Sequence, residues 1–459
     1  MTEGIAVSPA PVATSSALVA LAWRLAPLWV GLGSLVLGTI GLGRRSLTSV
    51  EATSLAAASG SFRTVVSTIV HDNPAQAGLL LVLRLATSVG SDERTIRAPS
   101  AIAVALAAGL IVILGTMVLG RVAGVVAGIA LAANAGVVVA SREARPYALG
   151  ILGIVVATLL LVVALERGGG WRWVPYALAA AALPLLHPLA ASVLAAHGAA
   201  LIARRDRADV RTAGIALVAG TAAAAFLLAW MAADRFDAAA LGALDLASLG
   251  RGVAGAGGWN PVLAVAAVAG IVFLFRAAHT AAPERWIGVL VAGLIAAPIV
   301  VTLLAAVALP VHAGALVLCA PGLALAVGAV ALLLSPTRGL VAAGLAVLLI
   351  ASTATISARL LQPVAEDWRA LAAAVKRVKG PKETIVVVPE GSRAAFAYYA
   401  PYASTLRFAR GDGAWVAVRA ETPEAAIDAT RPFVVTPRYA LLRQFKYGEG
   451  LRLQHWVRP

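Results

Sequence analysis

Long apolar runs, each closed by arginine or by a Pro/Gly-rich interruption, make up most of the first 360 residues. A bilayer core of about 30 Å takes roughly 20 apolar residues of α-helix. Cutting the chain at its charged or Pro/Gly-rich breaks predicts spans at 25–43, 99–119, 122–140, 147–165, a pair within 173–203, then 212–233, 260–276, 286–309, 313–334 and 338–358, about eleven in all. The run 173–203 is long for one helix and short for two. His187-Pro188 sits near its middle, and proline removes a backbone donor and restricts the residue before it, so a turn is expected there.

The pattern changes after about Gln362. All four lysines lie beyond it, at Lys376, Lys379, Lys382 and Lys446. Glu366 to Lys379 is amphipathic, Thr384 to Val388 reads as a buried strand, Ser392 to Tyr399 suits a helix, and Trp415 to Val418 and Phe433 to Val435 are further strands. The expected fold class is a polytopic α-helical membrane protein with a small C-terminal α/β domain: 1–24 a cytoplasmic N-terminus, 25–362 the transmembrane domain, 363–459 the extracytoplasmic domain. No Gly-rich phosphate loop marks a nucleotide site in the last part.

Composition agrees. The chain is 60% hydrophobic and 13% charged with mean hydropathy +0.88, which excludes an ordinary soluble domain. The net charge of +15 does not signal nucleic acid, because the basic residues punctuate apolar runs instead of forming a stripe with interleaved aromatics. The positive-inside rule explains them: Arg121, Arg167, Arg172, Arg204 to Arg211, Arg276, Arg285 and Arg338 fall in loops of one face. The opposite loops hold Glu51, Asp72, Asp92, Glu93, Glu143, Asp234, Asp237 and Asp245. The expected topology is N-terminus cytoplasmic, C-terminal domain outside, in the cytoplasmic membrane. Met1 to Ser16 lacks a basic n-region, so no cleaved signal peptide is expected. The lone Cys319 allows no intrachain disulfide and reads as a small core residue.

Charges at a membrane edge are costly unless they act. The densest set is Ser141-Arg142-Glu143-Ala144-Arg145-Pro146-Tyr147. Pro146 suits the first turn of a helix whose free N–H groups and positive dipole face outward beside Arg142 and Arg145, an arrangement suited to phosphate. At i and i+3 the two arginines share a face if the helix extends back to them. The long loop 44–98 adds Glu51 and the segment His71-Asp72-Asn73-Pro74, with half-apolar runs 55–70 and 77–88 that suit interfacial helices.

The stretch 141–149, Ser-Arg-Glu-Ala-Arg-Pro-Tyr-Ala-Leu, resembles the Gln-Glu-Ala-Arg-Pro-Tyr-Ala motif of GT-C membrane glycosyltransferases, in the branch of protein mannosyltransferases and aminoarabinose transferases. The order of an acidic site after span one, a His/Asp/Pro segment, Ile96 to Ser100 opening span two, and Glu366-Asp367-Trp368-Arg369 entering the last domain is similar too. The resemblance implies transfer of a sugar, of mannose or arabinose type, from a polyprenyl-phosphate donor to a glycan, lipid or protein acceptor on the outer face. A carboxylate takes the acceptor's hydroxyl proton, and the lipid phosphate leaves with inversion. By that resemblance Glu51 matches the second acid of the family's first-loop pair, and the catalytic Asp position holds Val50. Glu51 or Asp72 is then the expected base. Arg142, Arg145, Tyr147, His187 and His312 are expected at the donor phosphate, and His71, Asn73 and Glu143 shape the acceptor side. His312 stands near where relatives carry an Arg-Tyr pair. Some members hold a metal at the later loop segment; here Glu51, His71 and Asp72 are the residues available to a divalent cation.

Plainer readings exist for each. Arg142 and Arg145 can snorkel as interfacial anchors. His187 can satisfy a carbonyl, His197 and His279 are structural or cytoplasmic, and Asp234, Asp237 and Asp245 form a solvated face. Trp171, Trp173, Trp259 and Trp286 fit an interface belt. Two other functions compete: a lipid-linked-sugar transporter or flippase, against which the sequence shows no convincing internal repeat and keeps its charges at span ends, and an inactive lipid-sugar binding scaffold, which Val50 permits.

Overall fold

The computed structural model describes residues 13–168, 170–204, 210–233, 246–280, 285–308, 313–334, 337–380, 382–409, 412–420, 422–434 and 439–458. The first half runs α1 (Ala13–Thr39), then α2 (Ser49–Ala58), α3 (Phe62–His71) and α4 (Ala77–Thr87) in the long loop, then α5 (Glu93–Leu119), α6 (Arg121–Ala132), α7 (Ala135–Ser141) and α8 (Tyr147–Arg167). It continues with α9 (Trp173–Leu186), α10 (Val193–Ala203), α11 (Val210–Ala233), α12 (Leu246–Ala256), α13 (Pro261–Thr280), α14 (Arg285–Ala308), α15 (Ala320–Leu334) and α16 (Arg338–Leu360).

Among the described residues, seven helices are long and apolar enough to cross a bilayer, and nine if the bent pairs α6–α7 and α12–α13 each make one crossing. The count by length therefore falls short of eleven, because α9 has 14 residues and α10 has 11. At 1.5 Å per residue they rise about 21 and 17 Å. The turn between them is where the sequence puts it. His187 ends α9 and stacks on Tyr147 in the first turn of α8, with ring centroids 5.4 Å apart. Arg204, just past α10, pairs with Glu166 near the other end of α8 at 2.8 Å. The chain thus climbs along α9, reverses at His187-Pro188 and descends along α10.

The bends have local causes. Asn134 caps α7 by accepting from the Gly136 and Val137 amides, while its Nδ2 donates to Ala256 O, so α6 stops and α7 restarts at an angle of 60°. Between α12 and α13 the chain turns by 76° through Gly258 and Trp259, both at positive φ. Helix α5 begins at Glu93, earlier than the 99 expected, because Asp92 accepts from the amides of Arg94 and Thr95. That cap brings Arg97 inside the helix.

The C-terminal domain comprises α17 (Trp368–Val378), β1 (Glu383–Val388), α18 (Arg393–Tyr399), β2 (Gly413–Arg419), α19 (Pro423–Thr430), β3 (Ala440–Lys446) and β4 (Leu451–Val457). The sheet order is β1-β2-β4-β3, with β1 and β2 parallel and the other pairs antiparallel. The expected strands at 384–388 and 415–418 form. Phe433 and Val434 instead lie in a turn, and Val435 falls outside the described residues. The hairpin β3–β4 escapes the sequence pattern because Arg452, Gln454 and His455 break up the apolar residues of β4.

This domain sits against the long loop and the end of α16. Arg45 donates to the carbonyls of Arg359, Leu360 and Gln362. Glu366 accepts from the Ser49 amide and hydroxyl, from the Trp368 indole and from Arg419. Tyr399 accepts from the Leu47 amide and donates to Glu93, which also pairs with Arg369. Trp368, Leu371 and Phe396 join the core of the membrane domain, whereas the other sheet face has its own core of Val386, Val416 and Trp456. The loop 44–98 and the C-terminal domain thus share one face of the molecule.

Candidate active site

Helix α2 forms because Thr48 and Glu51 make a reciprocal capping box, Thr48 Oγ1 accepting from the Glu51 amide and Glu51 accepting from the Thr48 amide. This fixes the Glu51 carboxylate at the start of the helix, where it is 0% exposed. Arg97 meets it with two parallel bonds, Nε to Oε1 at 2.7 Å and Nη2 to Oε2 at 2.8 Å. The guanidinium also donates to the carbonyls of Leu42, Arg45 and Ser46. Glu51 Oε1 accepts a further bond from the Ala144 amide at 2.9 Å. Burial alone would raise the Glu51 carboxyl, but the Arg97 bonds and charge, with the Thr48 and Ala144 amides, hold it below the usual carboxylate range.

The Ala144 bond draws the motif 141–147 onto the first-loop acid. Glu143 lies beside this junction with 31% of its side chain exposed, in a loose ion pair with Arg145 at 3.4 Å. Dense packing pushes the Glu143 carboxyl above its ordinary value, opposed by Arg145. Glu143 in turn raises Arg145. Tyr147 interacts with Arg145 and stacks on His187, whose Nδ1 accepts from the Leu189 amide. Gly150 permits that approach, since a Cβ there would come within 2.9 Å of the His187 Cβ.

Arg142 and Arg145 do not share a helical face, because α8 starts at Tyr147. Arg142 turns back and donates to the carbonyls of Leu37 and Ile40, capping the end of α1. Burial, then the charges of Arg45 and Arg44, push its guanidinium down. Arg145 alone of the two stays beside Glu143.

His71 and Asp72 end α3 exposed to solvent, and Asn73 follows half-buried. Neither His71 nor Asp72 makes a side-chain hydrogen bond or ion pair with described residues. Among the described residues no three His, Cys, Asp or Glu side chains gather as a metal set. The trio Glu51, His71 and Asp72 does not fit a cation: its first member is buried and spent on five donors while the other two face solvent. His312, Asp234, Asp237 and Asp245 lie outside the described residues. His279 falls in α13. His197 is structural as expected, held at Nε2 by Thr158 and at Nδ1 by Tyr176 in a buried network. The sequence reading missed Arg97. Its signal was an arginine just inside an apolar run, a position that calls for a buried partner.

The family model for dolichyl-phosphate-mannose-protein mannosyltransferase matches residues 77–232, which include 141–149 and His187 but not Glu51. No curated protein matches the chain. Among solved structures it is similar to ArnT from Cupriavidus metallidurans bound to undecaprenyl phosphate, at 12% identity and TM-score 0.58 over 97% of this chain and 98% of that one. The apo state of the same protein matches at 13% identity and TM-score 0.55, over 95% and 98%. The chain thus shares the fold of ArnT. The family model covers 156 of the 459 residues, and the likeness to ArnT over nearly the whole chain is a likeness of fold.

Proposed function

We propose that the chain transfers a sugar, of mannose or arabinose type, from a polyprenyl-phosphate donor to an acceptor hydroxyl at the face that carries the loop 44–98 and the C-terminal domain. The observation that carries the reading is the Glu51–Ala144 bond, which joins the first-loop acid to the motif loop, where Glu143 pairs with Arg145 and Tyr147 stacks on His187. Phosphate is a good leaving group once its charge is met, so Arg145 substitutes for a general acid. The undecaprenyl phosphate held by the similar ArnT supports a carrier of that chemistry. The arginine-rich loops on the opposite side support an extracytoplasmic position for the motif loop and the C-terminal domain. The acceptor is a cell-envelope glycan, a glycolipid or a protein.

The test uses purified protein with undecaprenyl-phosphate mannose and undecaprenyl-phosphate arabinose as donors, and octyl mannoside or a Ser/Thr-rich peptide as acceptors. Binding of a donor and acceptor-dependent release of undecaprenyl phosphate are expected. Failure to bind either donor overturns the reading.

A further inference from the structure

We propose that Glu143, and not Glu51, is the general base of the transfer, and that Glu51 is a positioning residue that holds the Glu143 loop through the Ala144 amide. The proposal rests on the transferase reading above and assigns the residue that does its proton chemistry.

A base needs a lone pair that substrate can reach. Glu51 has none to offer: Oε1 accepts from Arg97 Nε and the Ala144 amide, and Oε2 from Arg97 Nη2 and from the Thr48 amide and hydroxyl. Taking a proton would break the bidentate pair and leave the Arg97 guanidinium charged and buried. Two other carboxylates near the loop are equally engaged, Glu93 by Arg369 and Tyr399, and Glu366 by Ser49, Trp368 and Arg419. Asp72 makes no side-chain bond with described residues but sits at the exposed end of α3, with nothing packed about it to hold an acceptor.

Glu143 differs on each count. It accepts no hydrogen bond from described residues, its only ion pair is the 3.4 Å contact with Arg145, and nearly a third of its side chain is open. It is the residue before Ala144, so the Glu51 bond fixes the peptide next to it. Burial raises its carboxyl, which strengthens it as a base, while Arg145, Arg97 and Arg45 pull the other way and the Glu51 charge adds to the rise.

The step balances. The acceptor hydroxyl oxygen bonds to the anomeric carbon, its proton passes to the Glu143 carboxylate, and the bond from that carbon to the phosphate oxygen breaks with its electrons left on the polyprenyl phosphate. Neutral Glu143 no longer holds Arg145. The guanidinium is thereby released to the departing phosphate at the moment its charge grows.

Two measurements test this. Infrared difference spectra across a pH titration read carboxyl protonation without turnover: a protonated-carboxyl component that persists above the ordinary carboxylate range is expected in wild type, absent in Glu143→Gln and present in Glu51→Gln. Turnover with the donors and acceptors named above is expected to fall about 10²- to 10⁴-fold in Glu143→Gln, with the thermal midpoint unchanged and donor binding no weaker than in wild type. Glu51→Gln is expected to lower the midpoint and weaken donor binding together. The proposal is overturned if that component disappears in Glu51→Gln, if Glu143→Gln turns over at the wild-type rate, or if Glu51→Gln loses kcat with Kd and midpoint intact. Wild type that binds neither donor sinks the transferase reading, and the infrared titration still decides between the two carboxyls.

Discussion

The Glu51 carboxylate and the Arg97 guanidinium meet in two parallel hydrogen bonds of 2.7 and 2.8 Å, with Arg97 4% exposed and Glu51 not at all. One joins the first-loop helix to the other's transmembrane helix, 46 residues apart in sequence. Around this pair the Ala144 amide, the Thr48 cap and three carbonyls of the 42–46 segment are all satisfied.

Removing one partner of a buried pair costs far more than the pair contributes net. Arg97→Met is therefore expected to destabilise the protein by about 3–5 kcal/mol, read as a lowered thermal midpoint in detergent. A change below about 1 kcal/mol would mean that water already reaches Glu51.

Acid should loosen the same junction. The Glu51 carboxyl is depressed in the folded state, so its contribution is fully present above the ordinary glutamate range and is lost as pH falls through its lower, folded value. Thermal midpoints measured from neutral pH downward should decline more steeply in wild type than in Glu51→Gln, which has no charge to lose. Parallel curves would assign the acid sensitivity elsewhere.

The two motif arginines should separate by phenotype. Arg142 caps α1, so Arg142→Gln is expected to lower stability by about 1–3 kcal/mol. Arg145 is held only loosely, by Glu143 at 3.4 Å, so Arg145→Gln is expected to weaken undecaprenyl-phosphate binding while the thermal midpoint stays in place. Equal effects of both on binding would place Arg142 at the phosphate as well.

Glu366 fastens the C-terminal domain to the Ser49 end of α2. Glu366→Ala leaves the Ser49 amide and the Trp368 indole without their acceptor, at a cost of about 1–3 kcal/mol for each buried group. Faster proteolysis between α16 and α17 than in wild type is the expected result, since that linker is held by the same contacts. Unchanged cleavage would show that the Arg45 bonds to the end of α16 suffice.

Much of the fold follows from local pattern. Apolar runs of bilayer length locate the long helices, His187-Pro188 marks the reversal between α9 and α10, and the amphipathic and strand-like pieces after Gln362 locate α17, β1, α18 and β2. The motif 141–147 was legible because its charges interrupt a hydrophobic chain. Strands β3 and β4 were not, because β4 is central and its polar residues find partners on neighbouring elements, Gln454 with Thr430 of α19 and His455 with Glu383 of β1.

By itself the sequence determined that the chain crosses a membrane repeatedly, carries an α/β domain after the last span, and concentrates its acids and motif arginines at one set of span ends. Periodicity and hydropathy are local quantities, and those features are local. Only the tertiary structure decided which charges are spent. Arg97 lies 46 residues from Glu51, and the Leu37 and Ile40 carbonyls that take up Arg142 lie more than a hundred residues before it. Whether a carboxylate is locked or open depends on donors brought in from distant helices, and no spacing along the chain encodes that.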